Sequence, residues 1–478
     1  MKTKLFRRVL PLLMIALLFA PLQTFARNVQ IQDSYFYSLV DFISENYRYG
    51  VTKTELINAA KKYMAQTGEE TFEAAVTGMT SILDPYSAYL SPDVYQQWNE
   101  SGEGSYGGIG IGVTLSYSDF FASEIFPDSP AEKAGIQAGE MLWEIDGTPV
   151  SGKTFDDVTA LLKADNPSVK LVVKRLKSDG EELLEFNLTK EAINSPDLYS
   201  SIEDGIGVIT LYSFNEQSYP ALQEALASFD EANVNKIIFD IRDNPGGTDV
   251  VMRMAALFIP SGPVTHLEFI NPELNETYTV VNENPGKYQL AVLVNGNSAS
   301  ASELFAGAIQ DTGAGTIVGT QTFGKGSMQI TQPLFYGGGI KLTVGTYVTP
   351  NKNEVNHIGI TPDIIVENRV VSYAEHPDRT PLDGEKEIHA ASTETEIQAV
   401  KERLSLLDYY TGDYQDKTWN GNTIYALKQF QAEMGLPQTG ICDIATQISL
   451  ENACKDILVS VDDQYAAAKQ LLIGMEAV

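Results

Sequence analysis

The stretch AVLVNGNSASASELFAGAIQD, residues 291–311, joins an apolar run to a helical pattern and places three serines between them. The first four residues form an apolar run typical of the end of a strand, and residues 301–311 are helix-like. A strand that leads directly into a helix is the repeating unit of layered α/β proteins. The stretch therefore predicts an α/β core. It also raises the question of whether one of Ser298, Ser300 and Ser302 is a nucleophile or all three are turn and cap residues.

Strand and helix patterns alternate on both sides of this stretch. Apolar runs of strand length lie in GIGVITLYSF (205–214), NKIIFDIRDNPGG (235–247) and IKLTVGTYV (340–348), and a helical pattern lies in ALQEALASF (221–229). A chain of 478 residues has room for about three domains. The predicted fold class is multidomain α/β. It comprises a layered α/β core at 191–372, an inserted β-rich α+β domain, an N-terminal helical segment and a small C-terminal three-helix module.

Composition excludes several classes of partner and cofactor. The chain has 33 basic and 63 acidic residues, a formal net charge of −30, so its surface repels nucleic acid and anionic lipid. Two cysteines and four scattered histidines form no metal-ligand cluster, so we expect no metal and no cofactor. On a single helix, Cys442 and Cys454 would lie roughly 18 Å apart, beyond disulfide reach. We expect free thiols, or a helix shorter than the pattern suggests.

The first 26 residues have the layout of a secretory signal peptide. Four basic residues precede a short apolar run, and Thr24-Phe25-Ala26 forms a cleavage site of small-residue type. The uninterrupted run Leu12–Ala20 is too short to span a bilayer comfortably. The sequence therefore predicts a protein that is secreted, or retained in the cell envelope, after cleavage at residue 26.

Two regions separate this leader from the core. Residues 27–103 show helical periodicity interrupted by proline turns. Residues 104–190 run through a glycine loop, a strand, a short helix starting at Ser129, a helix and two paired strands, and this order resembles a PDZ domain of the bacterial protease type. The resemblance makes Gly108, Ile109, Gly110 and Ile111 the carboxylate-binding loop, because successive backbone N–H groups form an anion-binding nest. The alternative is a glycine-rich hairpin without a ligand.

A serine hydroxyl attacks a carbonyl only when a neighbouring base takes its proton. None of the four histidines lies in a motif tied to the serines, and no lysine stands three residues after any of them. A lysine held neutral by burial is the other base available. TQTFGKGSMQ (320–329) supplies Lys325 between two glycines, with Gln329 four residues later. An exposed lysine in a glycine turn is the alternative interpretation.

SASASE (298–303) followed by FGKGSMQ (323–329) resembles the signature of the carboxyl-terminal processing proteases. The segments GMTSILDPYSAYLSP (78–92), DIRDNPGG (240–247) and GITPDIIVE (359–367) match further motifs of that family in the same order. The resemblance implies a set of roles for individual residues. Ser300 is the nucleophile, Lys325 the base and Gln329 its support; Gly246 or Gly247 forms the oxyanion hole with Ala301; and Arg242, Glu303, Asp311 and Thr322 support the site.

The C-terminal part has a different character. Residues 373–395 are polar and without periodicity, which predicts a linker. Residues 396–456 contain three short amphipathic patterns and resemble the small three-helix peptidoglycan-binding domain. Residues 457–478 are predicted to form a final amphipathic helix that returns to the core.

These expectations describe a secreted serine endopeptidase. Its partners would be protein or peptide substrates with accessible C-termini, recognised by the PDZ domain. Binding of peptidoglycan and formation of a homodimer stay open. A catalytically silent scaffold that positions a partner protein is the alternative from another class. A glycan hydrolase would need two carboxylates flanking a cleft, and no motif indicates such a pair.

Overall fold

The computed structural model describes residues 34–103, 105–116, 119–163, 166–177, 180–194, 197–411 and 414–474. They form two compact units. Of the described residues, the first unit contains those up to Pro92 together with Gln329–Val344, and the second contains those from Asp93 to Met328 and from Gly345 onward. The predicted signal peptide lies outside the described residues. Among the helices in these ranges, none has the length and apolar character needed to cross a membrane.

Helices dominate the first unit, as the periodicity of the N-terminal segment predicted. Thr52 starts the second helix with a capping box: its hydroxyl accepts a hydrogen bond from Glu55 N, and the Glu55 carboxylate accepts one from Thr52 N. Gly68 ends that helix in the left-handed conformation (φ 74°). The elements of this unit are the helices Ser34–Asn46, Lys53–Thr67 and Phe72–Thr80 and the strand Ala88–Leu90, which pairs antiparallel with residues 339–341.

A separate β-rich domain opens the second unit. Its short helix Pro130–Ala134 has Ser129, where the sequence predicted the helix start, as N-cap and Gly135 (φ 82°) as C-cap. Its core is aliphatic apart from Phe120. The five main strands, in spatial order, are Ile111–Ser116, Asp119–Ile125, Met141–Ile145, Ser168–Lys177 and Gly180–Thr189; the other elements are the strands Ser105–Gly108, Thr148–Pro149 and Glu191–Asn194 and the helices Pro92–Glu103 and Phe155–Lys163.

The larger domain of the second unit is built on a mostly parallel six-stranded sheet. Its order is Leu198–Glu203, Ile206–Leu211, Lys236–Asp240, Gln289–Val294, Gly315–Gly319 and Ile364–Ile365, and only the first pair is antiparallel. Such sheets need helices to bury their faces. The accompanying elements are the helices Ser218–Glu231, Val250–Ala255 and Ala301–Thr312, the 3-10 turn Pro272–Leu274, the strands Gly262–Phe269 and Glu276–Val280, and the strands Ser327–Pro333 and Gly339–Val348, which continue into the first unit.

The helix Ala301–Thr312 is buried along most of its length. Every residue from Ala301 to Ile309 is buried, so packing rather than an amphipathic stripe holds it. The ring of Phe305 lies 4.8 Å from that of Phe239 and 6.0 Å from that of Phe214. These contacts place the start of the helix rigidly against the carboxyl ends of the strands, where ligands bind in open α/β sheets.

The C-terminal module consists of the helices Glu394–Leu406, Gly421–Glu433 and Ile444–Cys454. The preceding segment 373–395, predicted as a linker, is irregular but packed against it. Ile388 is fully buried and forms a β-bridge with Cys442, and Arg403 donates a hydrogen bond to Thr380 O. The linker prediction is therefore corrected: this segment is part of the module's packing. Its polarity reflects an exposed outer face rather than a free tether.

The tail returns to the core, as the sequence predicted. Leu458–Val461 pairs with Arg369–Ser372, and the helix Asp463–Gly474 buries Ala468 and Leu472 against the core sheet. Cys442 and Cys454 are both buried and free. Burial raises the pKa of the Cys442 thiol, so it stays protonated and unreactive near neutral pH.

Candidate active site

Ser300 lies at the turn between the strand Gln289–Val294 and the helix Ala301–Thr312. Its backbone has φ 56° and ψ −113°, a conformation that L residues rarely adopt. The turn is held because Ser300 N donates to the Glu303 carboxylate at 2.9 Å, while Ser300 O accepts from Leu304 N at 3.0 Å. The strained turn keeps the Ser300 side chain partly exposed, whereas the helix that follows is buried.

The flanking serines have structural partners. Ser298 Oγ donates to Ile241 O at 2.8 Å and accepts from Asn295 N at 3.0 Å. Ser302 Oγ donates to Asn244 O at 2.9 Å. Both side chains are fully buried. They attach the serine turn to residues 241–244, so Ser300 alone of the three is accessible to a substrate.

Glu303 joins the serine turn to the glycine-lysine loop. Its carboxylate is fully buried and accepts four hydrogen bonds. One oxygen binds Thr322 Oγ1 and Gly324 N, both at 2.6 Å, and the other binds Ser300 N at 2.9 Å and Lys325 N at 2.8 Å. Four donors offset the cost of burying the charge. Because Ser300 N and Lys325 N bind the same oxygen, the two residues are neighbours although 25 positions apart.

Replacing Glu303 by glutamine is expected to lower kcat about 100-fold and the free energy of unfolding by about 2 to 4 kcal/mol. In glutamine, an NH2 group replaces one of the two carboxylate oxygens. The two donors that this oxygen had accepted would then face an N–H donor, and both of their hydrogen bonds to position 303 would be lost. Urea unfolding and steady-state kinetics measure the two effects. The control is Glu140→Gln, which changes a buried carboxylate paired with Arg175 in the β-rich domain. Equal kcat for Glu303→Gln and Glu140→Gln would contradict the prediction.

Lys325 is held in place by two glycines that allow close backbone packing. A Cβ on Gly326 would lie 2.4 Å from Asn356 N, and one on Gly324 (φ 90°) would lie 3.1 Å from Ile358 N. His357 N donates to Gly324 O at 2.7 Å. Lys325 is therefore half-buried in a packed loop, which favours the catalytic over the exposed-turn interpretation.

The glycines of DNPGG lie beside the serine turn. A Cβ on Gly246 (φ 104°) would lie 2.8 Å from both Ser300 Cβ and Ala301 N. Gly246 N donates to Asn244 Oδ1 at 2.8 Å, so its N–H is occupied. Within the described ranges, no protein group accepts a hydrogen bond from Gly247 N or Ala301 N. The geometry favours Gly247 over Gly246 as the partner of Ala301 in an oxyanion hole.

Asn244 and Tyr347 belong to the site although they were not among the predicted residues. Asn244 is fully buried; its Nδ2 donates to Leu211 O at 2.8 Å, and its carbonyl accepts from Ala299 N. The Tyr347 hydroxyl lies 2.7 Å from Ser300 O and 2.9 Å from Lys325 O. Asn244 could have been found inside DNPGG, whereas Tyr347 looks like any core tyrosine of a strand.

Gln329 lies in the first unit. Its side-chain amide donates to Thr343 Oγ1 at 3.1 Å, and Thr343 Oγ1 donates to Asp84 Oδ2 at 2.8 Å. Asp84 also accepts from Ser87 Oγ, within the LDPYS stretch that the sequence analysis singled out. Gln329 is thus fixed by a chain of polar contacts within its own unit.

Two predicted supporting residues have other roles. Arg242 forms ion pairs with Asp240 and Asp462 and thereby attaches the tail to the core. Asp311 accepts hydrogen bonds from Asn351 N and Asn353 Nδ2 near the C-terminal end of the helix, about 16 Å along its axis from Ser300. The printed contacts of Arg242 and Asp311 do not link them to Ser300 or Lys325, and their supporting role stays a prediction. Glu303 contacts the backbones of Ser300 and Lys325, and Thr322 donates to Glu303; their supporting role at the site stays a prediction.

The Asp243 carboxylate makes pH-dependent hydrogen bonds beside the serine turn. Hydrogen bonds from Asn297 and Asn295 lower the pKa of its carboxyl group. A lowered pKa stabilises the fold above the ordinary value of about 3.9, and that contribution is lost as the pH falls through the lowered value. We expect Asp243→Asn to lower the melting temperature at pH 7. The difference in melting temperature from wild type should shrink below about pH 4. A difference that is constant from pH 7 to pH 2.5 would refute this. Asparagine tolerates the positive φ of 59° at this position, so the substitution adds no backbone strain.

The predicted carboxylate-binding loop joins two sheets of the β-rich domain. Ile109 is buried and its carbonyl accepts from Ala131 N, while the Gly110 carbonyl accepts from Phe126 N. Gly110 has φ 76°, and a Cβ there would lie 2.1 Å from Ser129 Cβ. Gly108 ends one strand and Ile111 begins the next, which lies at an edge of the main sheet. An edge strand beside a glycine loop can accept an extended peptide.

Comparison with known proteins matches three family models to the chain. The model of peptidase family S41 matches residues 205–366, a PDZ domain model matches residues 121–175, and a peptidoglycan binding domain model matches residues 393–450. The PDZ and peptidoglycan-binding resemblances are thereby confirmed.

Individual relatives are similar over most of the chain. A Staphylococcus haemolyticus protein named "Probable CtpA-like serine protease" is 30% identical over 405 residues, which are 82% of this chain and 79% of that protein. A Bartonella bacilliformis "Carboxy-terminal-processing protease" is 33% identical over 313 residues, 63% of this chain and 70% of its own. A solved structure titled "Photosystem II D1 C-terminal processing protease" is 25% identical, with a TM-score of 0.43, and covers 73% of this chain and 94% of its own.

Proposed function

The chain belongs to peptidase family S41 and is a carboxyl-terminal processing serine protease, and we propose that it cleaves proteins with a Ser300–Lys325 dyad. Family membership sets aside the silent scaffold and the glycan hydrolase. The observation that carries the dyad is the single Glu303 oxygen that binds the backbone N–H groups of both Ser300 and Lys325.

The mechanism is acyl transfer. Lys325, as the neutral amine, takes the hydroxyl proton while Ser300 Oγ attacks the scissile carbonyl. The N–H groups of Gly247 and Ala301 stabilise the oxyanion, each by roughly 3 to 4 kcal/mol in rate. Lys325 then gives its proton to the leaving amine. A water molecule, deprotonated by Lys325, attacks the acyl enzyme and releases the second product.

Gln329 is proposed to support Lys325, the role that the family resemblance implies. Its amide is already oriented by Thr343, and Thr343 is oriented by Asp84. A preset side chain loses less conformational freedom when it binds the amine than a mobile one would.

The PDZ domain is proposed to capture the C-terminus of the substrate. The loop Gly108–Ile111 would bind the carboxylate, and the edge strand Ile111–Ser116 would pair with the residues before it. Lys133 beside this loop already forms an ion pair with Glu191, so backbone N–H groups rather than a lysine would carry the anion binding. The ligands are unstructured protein C-termini.

The protein is proposed to act outside the cytoplasmic membrane. The signal-like residues 1–26 and the peptidoglycan-binding module support secretion into the cell envelope. Peptidoglycan as a ligand of the module and a homodimer as the assembly are parts of the same proposal. Cosedimentation with purified cell walls and sedimentation equilibrium test them.

The function is tested by incubating residues 27–478 with an unstructured protein that ends in apolar residues. Mass spectrometry identifies the cleavage sites, and the rate is followed from pH 6 to pH 10. We expect cleavage whose kcat rises with pH, because the amine must lose its proton to act as base. The same substrate with an amidated C-terminus should have a raised KM. No cleavage under any of these conditions, with substrate and enzyme both intact, would overturn the proposal.

A further inference from the structure

Tyr347 is a buried residue that contacts both halves of the dyad through their backbones. It is 4% exposed, and its hydroxyl lies within hydrogen-bond distance of Ser300 O and Lys325 O. We propose that Tyr347 is a positioning residue, which sets the distance between nucleophile and base together with Glu303. The proposal rests on the Ser300–Lys325 dyad.

The two contacts complement those of Glu303. Glu303 binds the N–H groups of Ser300 and Lys325, whereas Tyr347 binds their carbonyl oxygens. The single hydroxyl proton of Tyr347 is shared between the two carbonyl oxygens, so the phenol holds them as a pair. A displacement of about 1 Å in such a pair can lower a rate about 100-fold.

The phenol is suited to this task because it stays protonated. Burial, and next the charge of Glu303, raise its pKa well above the ordinary value. Tyr347 itself is fixed by its place in the strand Gly339–Val348, where it pairs with Leu267, and its N–H donates to Gly326 O at 2.9 Å. Through Tyr347, the strand therefore links the loop around Lys325 to the serine turn.

The test compares Tyr347→Phe with para-aminophenylalanine at the same position. Phenylalanine removes the donor, and we expect kcat to fall 10- to 100-fold while KM stays within twofold, because no substrate contact is lost. The aminophenyl side chain restores N–H donors, and we expect kcat to return to within about threefold of wild type. The kcat of each variant is divided by its folded fraction, which urea unfolding measures. If the phenylalanine variant does not fold, para-methylphenylalanine takes its place, since it fills the same volume without a donor.

Tyr288→Phe is the matched control, because it removes the hydroxyl of another buried tyrosine. That hydroxyl donates to Asp230 Oδ1 at 3.0 Å and has no contact with Ser300 or Lys325. Ser300→Ala is run beside it. If Ser300→Ala is inactive and Tyr347→Phe matches Tyr288→Phe in kcat, the role of Tyr347 is overturned and the dyad stands. If the aminophenyl variant folds but stays as slow as the phenylalanine variant, a positioning role is also overturned. If Ser300→Ala keeps its activity, the dyad itself is wrong.

A second contact lies between the three-helix module and the PDZ domain. The start of the helix Gly421–Glu433 packs on three PDZ segments: a Cβ on Gly421 would lie 2.0 Å from Leu176 O, one on Gly139 would lie 2.1 Å from Asn422 Nδ2, and the Tyr425 hydroxyl donates to Asp119 Oδ2 at 2.9 Å. We infer that the module holds the PDZ domain in one orientation. Gly421 permits a backbone approach to Leu176 that any side chain would prevent, and Gly139 leaves room for the Asn422 side chain.

Leucine at position 421 would separate the two surfaces. We expect hydrogen exchange in the PDZ strands Asp119–Ile125 and Ser168–Lys177 of the full chain to become at least tenfold faster, with exchange in the helix Ile444–Cys454 unchanged. Ala432→Leu, at an exposed position of the same helix, is the control. Tyr425→Phe tests the contact with a smaller change if Gly421→Leu unfolds the module. PDZ exchange equal to that of the control in both variants would overturn the inference.

Discussion

Alanine at position 300 or at position 325 is expected to lower kcat about a million-fold each, and the double variant should lose no more than either single one. A nucleophile and its base act as a unit, so removing one leaves the other without a function. Residual cleavage would come from substrate binding and the oxyanion hole. Lys325→Arg should be as inactive as Lys325→Ala, because a guanidinium cannot give up its proton in a protein.

The controls are Ser298→Ala and Ser302→Ala. Each loses one buried hydrogen bond, to Ile241 O or to Asn244 O, so the free energy of unfolding should fall by about 1 to 3 kcal/mol while kcat stays within tenfold. Steady-state kinetics with the unstructured substrate and urea unfolding give both quantities. Wild-type kcat in a contaminant-free Ser300→Ala preparation would show that another residue attacks the substrate. The same result for Lys325→Ala would assign the base elsewhere.

Alanine at position 246 is expected to lower kcat at least 1000-fold. The added methyl group would lie 2.7 Å from Ala299 O and 2.8 Å from Ala301 N and Ser300 Cβ, distances that require the serine turn to move. The movement displaces the nucleophile and the Ala301 N–H together, and one oxyanion donor alone is worth about 100- to 1000-fold. Burst kinetics with an activated ester substrate should show loss of the acylation step.

Gly205→Ala is the matched control. Gly205 has φ 78° and no atom within 4 Å of the position of an added Cβ, so alanine there introduces backbone strain of about 1 to 2 kcal/mol without a clash. We expect lower stability and unchanged kcat. If Gly246→Ala and Gly205→Ala lose the same stability and keep the same kcat, the close packing of Gly246 against the serine turn has no catalytic consequence.

Local patterns in the sequence sufficed for much of the fold. The strand-to-helix stretch 291–311, the Ser129 and Gly135 caps and the returning tail helix are each determined by periodicity or by a cap residue within one element. The motif around Ser300 and the Lys325 loop also predicted a peptidase, which the family match confirmed. Periodicity could not show that 373–395 is packed, since its buried or partly buried apolar residues Tyr373, Leu382 and Ile388 are few and irregularly spaced in a polar segment.

The sequence by itself determined the elements, the peptidase family and the short list of candidate residues. Only the tertiary structure decided how those residues are connected. Glu303 and Tyr347 join Ser300 to Lys325. The Asn244 side chain accepts the Gly246 N–H, so Gly247 is the favoured oxyanion donor, while Arg242 binds the tail and Asp311 binds a distant turn. The physical reason is the range of the interactions. Caps and periodicity act within a few residues, whereas a buried carboxylate or phenol is satisfied by whichever donors and acceptors the fold brings to it.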